Sequence, residues 1–232
     1  MSVLWNWDQR GRECLPQSGV VDGVPKSAAT VLMAEATGDA GSMFEHMTVL
    51  LSIIFALAMT HILASVTELV WERSRVRFSG LHSLWMANAL FGLLCYWVSI
   101  WDLTTIKHWS GPEVALQFFP AIVQYFACSL LSMPREGDGV LDMRAFFERQ
   151  RPAIFTAFSL MWVLSIIGNY IDRNNSSVST ASSWIGTDVP LVFMLIATLM
   201  AGWARALWLQ WTAGVFIFGL EVLFLATYHG RL

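Results

Sequence analysis

Apolar runs of about 20 residues alternate with short polar segments along the chain, the length a helix needs to cross a hydrocarbon core about 30 Å thick. Six such runs are present, at about 47–71, 82–103, 114–133, 152–171, 185–202 and 207–227. They predict an all-α integral membrane protein with six transmembrane helices, because only a helix or a closed barrel satisfies its own backbone in lipid. Pro152 opens the fourth run, where its missing N–H costs nothing. The last two runs are separated only by residues 203–206. One helix over 185–227 would be about 64 Å long, twice the hydrocarbon thickness, so a tight hairpin near Gly202 and Arg205 is expected. Trp71, Trp85, Trp97, Trp101, Trp109, Trp184, Trp203, Trp208 and Trp211 fall at or near the run ends, where an indole meets both hydrocarbon and headgroups. Trp162 sits in mid-run.

The connecting segments predict an orientation. Arg73, Arg75, Arg77, Arg135, Arg144, Arg149, Arg151 and Arg205 fall on one side, eight in all, against Lys107, Arg173 and Arg231, three, on the other. Basic residues are retained on the cytoplasmic side, so both termini are expected outside. Residues 1–42 show no hydrophobic periodicity and no signal-peptide core; they read as a disordered tail ahead of a single domain over 43–232. The 20 residues before the first run carry no Lys or Arg, which eases translocation, and Met43 offers an alternative start. Between the third and fourth runs, Leu141, Met143, Phe146 and Phe147 alternate with Arg144, Glu148, Arg149 and Arg151. That spacing predicts an amphipathic helix lying in the plane of the cytoplasmic interface, with its arginines beside anionic lipid headgroups.

Composition narrows the function classes. The chain is 56% hydrophobic and 13% charged, with a mean hydropathy of +0.54. Soluble domains carry about 25% charged residues, so an ordinary water-soluble globule is excluded. A net charge of −3 gives no footprint for nucleic acid. Cys14, Cys95 and Cys128 form no CxxC and no zinc spacing. No HExxH, GxSxG or P-loop is present, so neither an enzymatic activity nor a cofactor is indicated. Twelve arginines against two lysines point to a GC-rich genome and hence to a bacterial inner membrane. In a bacterium the N-x-[ST] matches at Asn174 and Asn175 carry no meaning.

Polar groups at membrane depth are functional candidates by default, because hydrocarbon penalises them unless they are paired. His61, Ser65 and Glu68 share one helix face in the first run; Asn88, Gln124 and Glu221 lie deep in the second, third and sixth. Ala56, Thr60 and Ala64 form a small-residue ridge, which predicts a buried, central first helix. A His61–Glu221 pair would relieve the cost of both groups. The structural alternative is a set of interhelical hydrogen bonds worth about 0.6 kcal/mol each. Pro120 and Pro190 lie inside runs and predict kinks. His46, His108 and His229 fall near the outer surface, where they offer a metal or haem site. The two three-span halves run in opposite senses, as in inverted-repeat transporters. The leading reading is a small transporter or permease-like protein whose partners are membrane lipids and a small-molecule substrate. Its site would comprise His61, Ser65, Glu68, Gln124 and Glu221. The alternatives are a membrane redox or metal-binding protein using the outer histidines, and a non-catalytic membrane scaffold.

Overall fold

The computed structural model describes the backbone of residues 26–105, 110–133, 141–175, 181–204 and 206–228. Its elements are α1 (Lys26–Trp71), β1 (Val76–Arg77), α2 (Gly80–Ser99), a 3-10 segment (Ile100–Thr105), α3 (Gly111–Leu131), β2 (Leu141–Asp142), α4 (Met143–Asn175), α5 (Ala181–Trp203) and α6 (Leu207–Tyr228). Among the described residues, five helical stretches are long and apolar enough to cross a membrane: Phe44–Trp71, Gly80–Ser99, Gly111–Leu131, Met143–Ile171 and Leu207–Thr227. The described apolar part of α5, Asp188–Trp203, is shorter. α5 and α6 are separate, packed helices, so the chain does turn back between Trp203 and Leu207.

The bundle exposes large apolar side chains and buries several polar ones within a mainly hydrophobic core, unlike a water-soluble fold. Val49, Ile53, Leu57, Phe119, Phe126, Phe193, Ile196, Val215 and Leu223 are exposed. His82, Asn88, Gln117, Gln124, Asp188, Thr198, Gln210 and Glu221 are buried. A continuous apolar exterior of this kind fits lipid, which solvates hydrocarbon and leaves polar groups to find partners within the protein. The chain is therefore a multi-pass helical membrane protein.

Three of the expectations need correction. First, α1 begins at Lys26, so residues 26–42 have a helical backbone rather than a disordered one. The run from Lys26 to Ala36 is rich in alanine, whose helix propensity needs no hydrophobic period to act; residues 1–25 lie outside the described residues. Second, the amphipathic segment is not a separate in-plane helix. It is the start of α4, which runs unbroken through Pro152 to Asn175. The side chain of Asp142 accepts hydrogen bonds from the backbone N–H groups of Arg144 and Ala145, at 3.0 Å each, and so fixes the helix start nine residues before Pro152. The apolar stripe of this segment packs on protein, with Phe146 and Phe147 against the His82 ring at centroid distances of 5.6 and 5.8 Å. Third, α1 is peripheral. Its buried stripe (Met47, Leu51, Phe55, Ala58, Ile62 and Ser65) faces α3 and α2, while the Ala56, Thr60 and Ala64 ridge points away from the bundle.

The tryptophans divide in the same way. Trp71, Trp101, Trp203, Trp208 and Trp211 are exposed, as headgroup anchors require. Trp85 instead is fully buried, edge-on to Phe155 at 4.7 Å and to Phe158 at 5.4 Å. Trp162 donates to the Thr198 hydroxyl at 3.1 Å across the α4–α5 seam.

The Arg-rich connections gather at one end. β1 and β2 pair in parallel, joining the α1–α2 and α3–α4 connections. Arg151 of α4 donates to the carbonyls of Ala201 and Gly202, at 3.1 and 3.0 Å, and to that of Ala204, covering the C-terminus of α5. At the far end of the same seam, Arg173 meets Asp188 at 2.6 Å, and Asn169 donates to Asp188 at 3.1 Å. The Arg173 and Asp188 side chains are only 11% and 12% exposed, whereas Arg77 and Asp142, 3.8 Å apart, are 76% and 38% exposed. Burial decides which pair matters. Arg173→Ala is expected to destabilise the protein by about 3 kcal/mol, and Arg77→Ala by less than about 1 kcal/mol, read as unfolding midpoints in the same detergent.

Candidate functional site

The deepest polar cluster lies where α2, α3 and α6 meet. Asn88, Gly92 and Cys95 stand on one face of α2, spaced four and three apart. On α6, Gln210, Gly214, Ile217 and Glu221 form the buried stripe. On α3, Gln117, Ala121, Gln124, Cys128 and Leu131 do the same. Close approach of α6 to α2 depends on two glycines. A Cβ on Gly214 would lie 2.8 Å from Leu84 Cδ2, and a Cβ on Gly92 would lie 3.1 Å from Glu221 Oε1 and 3.6 Å from Gln124 Nε2. Gly92 thus leaves the space into which the Glu221 carboxyl and the Gln124 amide both project.

The donors of this cluster are spent on main chain. Gln124 Nε2 donates to the Ala89 carbonyl at 2.7 Å, and Asn88 Nδ2 to the Gly214 carbonyl at 3.2 Å. A carbonyl can only accept, so these contacts fix both amide orientations. Cys95 Sγ donates to the Glu221 main-chain carbonyl at 3.5 Å. What remains is acceptors. Gln124 Oε1, Asn88 Oδ1 and both Glu221 carboxyl oxygens are buried and have no hydrogen-bond partner. Leaving a buried polar atom unpaired costs about 1–3 kcal/mol, and an unpaired charge costs more. Four buried acceptor oxygens on three neighbouring helices, two of them in the Glu221 carboxyl, are thus left without a donor.

The five residues singled out from the sequence are split between two places. Gln124 and Glu221 meet in this core. His61 and Ser65 stand at the α1–α3 seam instead, and Glu68 follows one turn further along α1. His61 Nε2 lies 3.1 Å from Tyr125 Oη, with the rings edge-on at 5.2 Å. The Ser65 hydroxyl accepts from the Met133 N–H at 3.1 Å, just past the end of α3. The expected His61–Glu221 pair is not formed, because α1 packs on α3 and α2 and holds His61 against Tyr125. Gln124 and Tyr125 are successive residues, so α3 separates the two places by about 100° of helix rotation. Gly92 and Cys95 are not among the site residues expected from the sequence, although their spacing from Asn88 is a readable signal.

Of the outer histidines, His46 is exposed, and His108 and His229 lie outside the described residues. Among the described residues, no three His, Cys, Asp or Glu side chains are grouped to hold a metal.

No family model, curated protein or solved structure matches the chain. The site is therefore read from its own chemistry. A bulkier residue at Gly92 is expected to displace the Glu221 carboxyl. Gly92→Val should destabilise by about 1–3 kcal/mol. At Gly219 nothing lies within 4 Å of a Cβ, and Gly219→Ala should be neutral or stabilising by up to about 1 kcal/mol. Thermal unfolding in one detergent checks both.

Proposed function

We propose that the chain is a six-span transporter or permease-like protein of a bacterial inner membrane, with both termini outside, and that Glu221 takes up and releases a proton during its cycle. The observation that carries this reading is the state of Glu221 itself. The residue is 1% exposed, sits on a helix long and apolar enough to cross a membrane, and has no partner for either carboxyl oxygen. A residue serving only to join helices would be expected to spend its polar atoms on a neighbour, as Gln124, Asn88 and Trp162 do with their donors. Ionisable groups retained at such depth mark ion or substrate pathways in membrane proteins. The His61–Tyr125 contact, one helix face away, supplies a second polar group near the same level.

The orientation rests on charge. Arg73, Arg75, Arg77, Arg144, Arg149 and Arg151 all belong to connections or helix starts at the end joined by the β1–β2 pair and the Arg151 contacts. The positive-inside rule puts that end in the cytoplasm. The length of α5, Ala181–Trp203, supports counting it as a span, the fifth in chain order, which brings the total to six.

The experiment uses proteoliposomes with trapped pyranine and a potassium–valinomycin potential. The wild type is expected to carry protons inward, and Glu221→Gln is expected to fall to the rate of protein-free vesicles while its unfolding midpoint stays the same or rises. Equal flux in the two proteins contradicts the role of Glu221. No flux in either, together with a partner that co-purifies in fixed ratio, favours a scaffold. A periplasmic alkaline phosphatase reporter joined after Leu232 should be active and a GFP reporter dark; the reverse contradicts the orientation.

A further inference from the structure

At the Arg-rich end, the seam between α1 and α2 opens into a groove of 640 Å³. Val66 and Val70 of α1 and Met86 and Leu90 of α2 form its walls, and Arg73 and Phe78 stand at its end. The volume is that of a small-molecule site. The walls are almost wholly apolar, which selects hydrocarbon. Ser83, the hydroxyl in the lining, already donates to the Ser79 carbonyl at 3.3 Å.

The end of the groove coincides with the headgroup level. α1 stops at Trp71, and Trp71 and Phe78 are 79% and 75% exposed. Aromatic residues so exposed at a span end mark the hydrocarbon–headgroup boundary. Arg73 follows two residues beyond Trp71 and is exposed. Its neighbours are engaged in the fold: Arg77 pairs with Asp142, and Arg75 accepts from Leu141 N–H through its carbonyl at 3.0 Å. Arg73 makes no ion pair with the described residues, and Glu72 beside it does not line the groove. The N-terminal, positive end of α2 faces the same level from Gly80.

We infer that this groove binds one membrane phospholipid, with an acyl chain between α1 and α2 and an anionic headgroup phosphate held by Arg73. A guanidinium matches two phosphate oxygens at once, which a choline-bearing headgroup already neutralises in part. The site stands apart from the Glu221 core and does not depend on the transport reading. One arginine near a lipid surface contributes about a fivefold change in occupancy.

Native mass spectrometry of the full chain, with phosphatidylglycerol and phosphatidylcholine added in equal amounts, tests this. The wild type should retain one phosphatidylglycerol in preference to phosphatidylcholine. Arg73→Ala should lower that retention about fivefold. Ala87→Phe, which fills the groove from α2, should remove retained lipid of both kinds. Arg149→Ala, exposed at the same end on α4, should leave retention unchanged. Equal retention of both lipids by the wild type overturns the inference, as does an Arg73→Ala protein that still prefers phosphatidylglycerol. An Arg149→Ala loss as large as that of Arg73→Ala also overturns it, because it assigns the preference to diffuse surface charge. Arg73 is exposed and outside the helices, so its variant should keep the wild-type unfolding midpoint, which separates lost binding from lost fold.

Discussion

Hydrocarbon offers no hydrogen bonds, and the arrangement of this chain follows from that. Every polar side chain on a membrane-spanning segment must find its partner in the protein or carry the cost of having none. Most of them find it. Trp162 and Thr198 satisfy each other between α4 and α5. His82 reaches the Leu131 carbonyl at 2.8 Å, and Gln210 the Ala204 carbonyl at 3.1 Å. Arg151 and the Arg173–Asp188–Asn169 group brace the two ends of the α4–α5 seam. Such contacts are individually modest, and they act by making wrong packings costly as much as by making the right one favourable.

Against that background the α2–α3–α6 core stands out for what it leaves unpaired. Its amide donors hold helices together through main-chain carbonyls, its buried acceptor oxygens have no partner, and one of them, Glu221 Oε1, lies beside Gly92. A purely structural design would not need an ionisable group there: a glutamine or leucine at position 221 would fill the space at lower cost. Under the proposed role, stability and function pull in opposite directions at Glu221. The close α2–α6 contact through Gly92 and Gly214 is what keeps the carboxyl away from lipid.

Much of the fold was legible in the sequence, because helix length and apolar content are set by bilayer thickness. The starts and ends of α2, α3, α5 and α6 lie within a few residues of the apolar runs. What failed were inferences about who faces whom. Ala56, Thr60 and Ala64 make a smooth ridge, but a ridge says that a close approach is sterically allowed, and not that a helix of the same chain makes it. Phe146 and Phe147 form a stripe that would suit lipid or protein equally, and the Asp142 cap with the His82 ring decided for protein. Trp85 has the composition of an anchor, and only the aromatic neighbours Phe155 and Phe158, some 70 residues away in sequence, explain its burial. Gln124 and Glu221 were visible as deep polar residues. Their meeting over Gly92 depends on which helices touch, information that a single sequence with six similar apolar runs does not carry.

The central claim, that Glu221 exchanges a proton from within the membrane core, is tested most directly by infrared difference spectroscopy on the lipid-reconstituted protein. The account predicts a protonated-carboxyl C=O band whose intensity changes with bulk pH and which disappears in Glu221→Gln. A band from Glu221 that stays constant from mildly acidic to alkaline pH would contradict it and leave Glu221 as a fixed structural element.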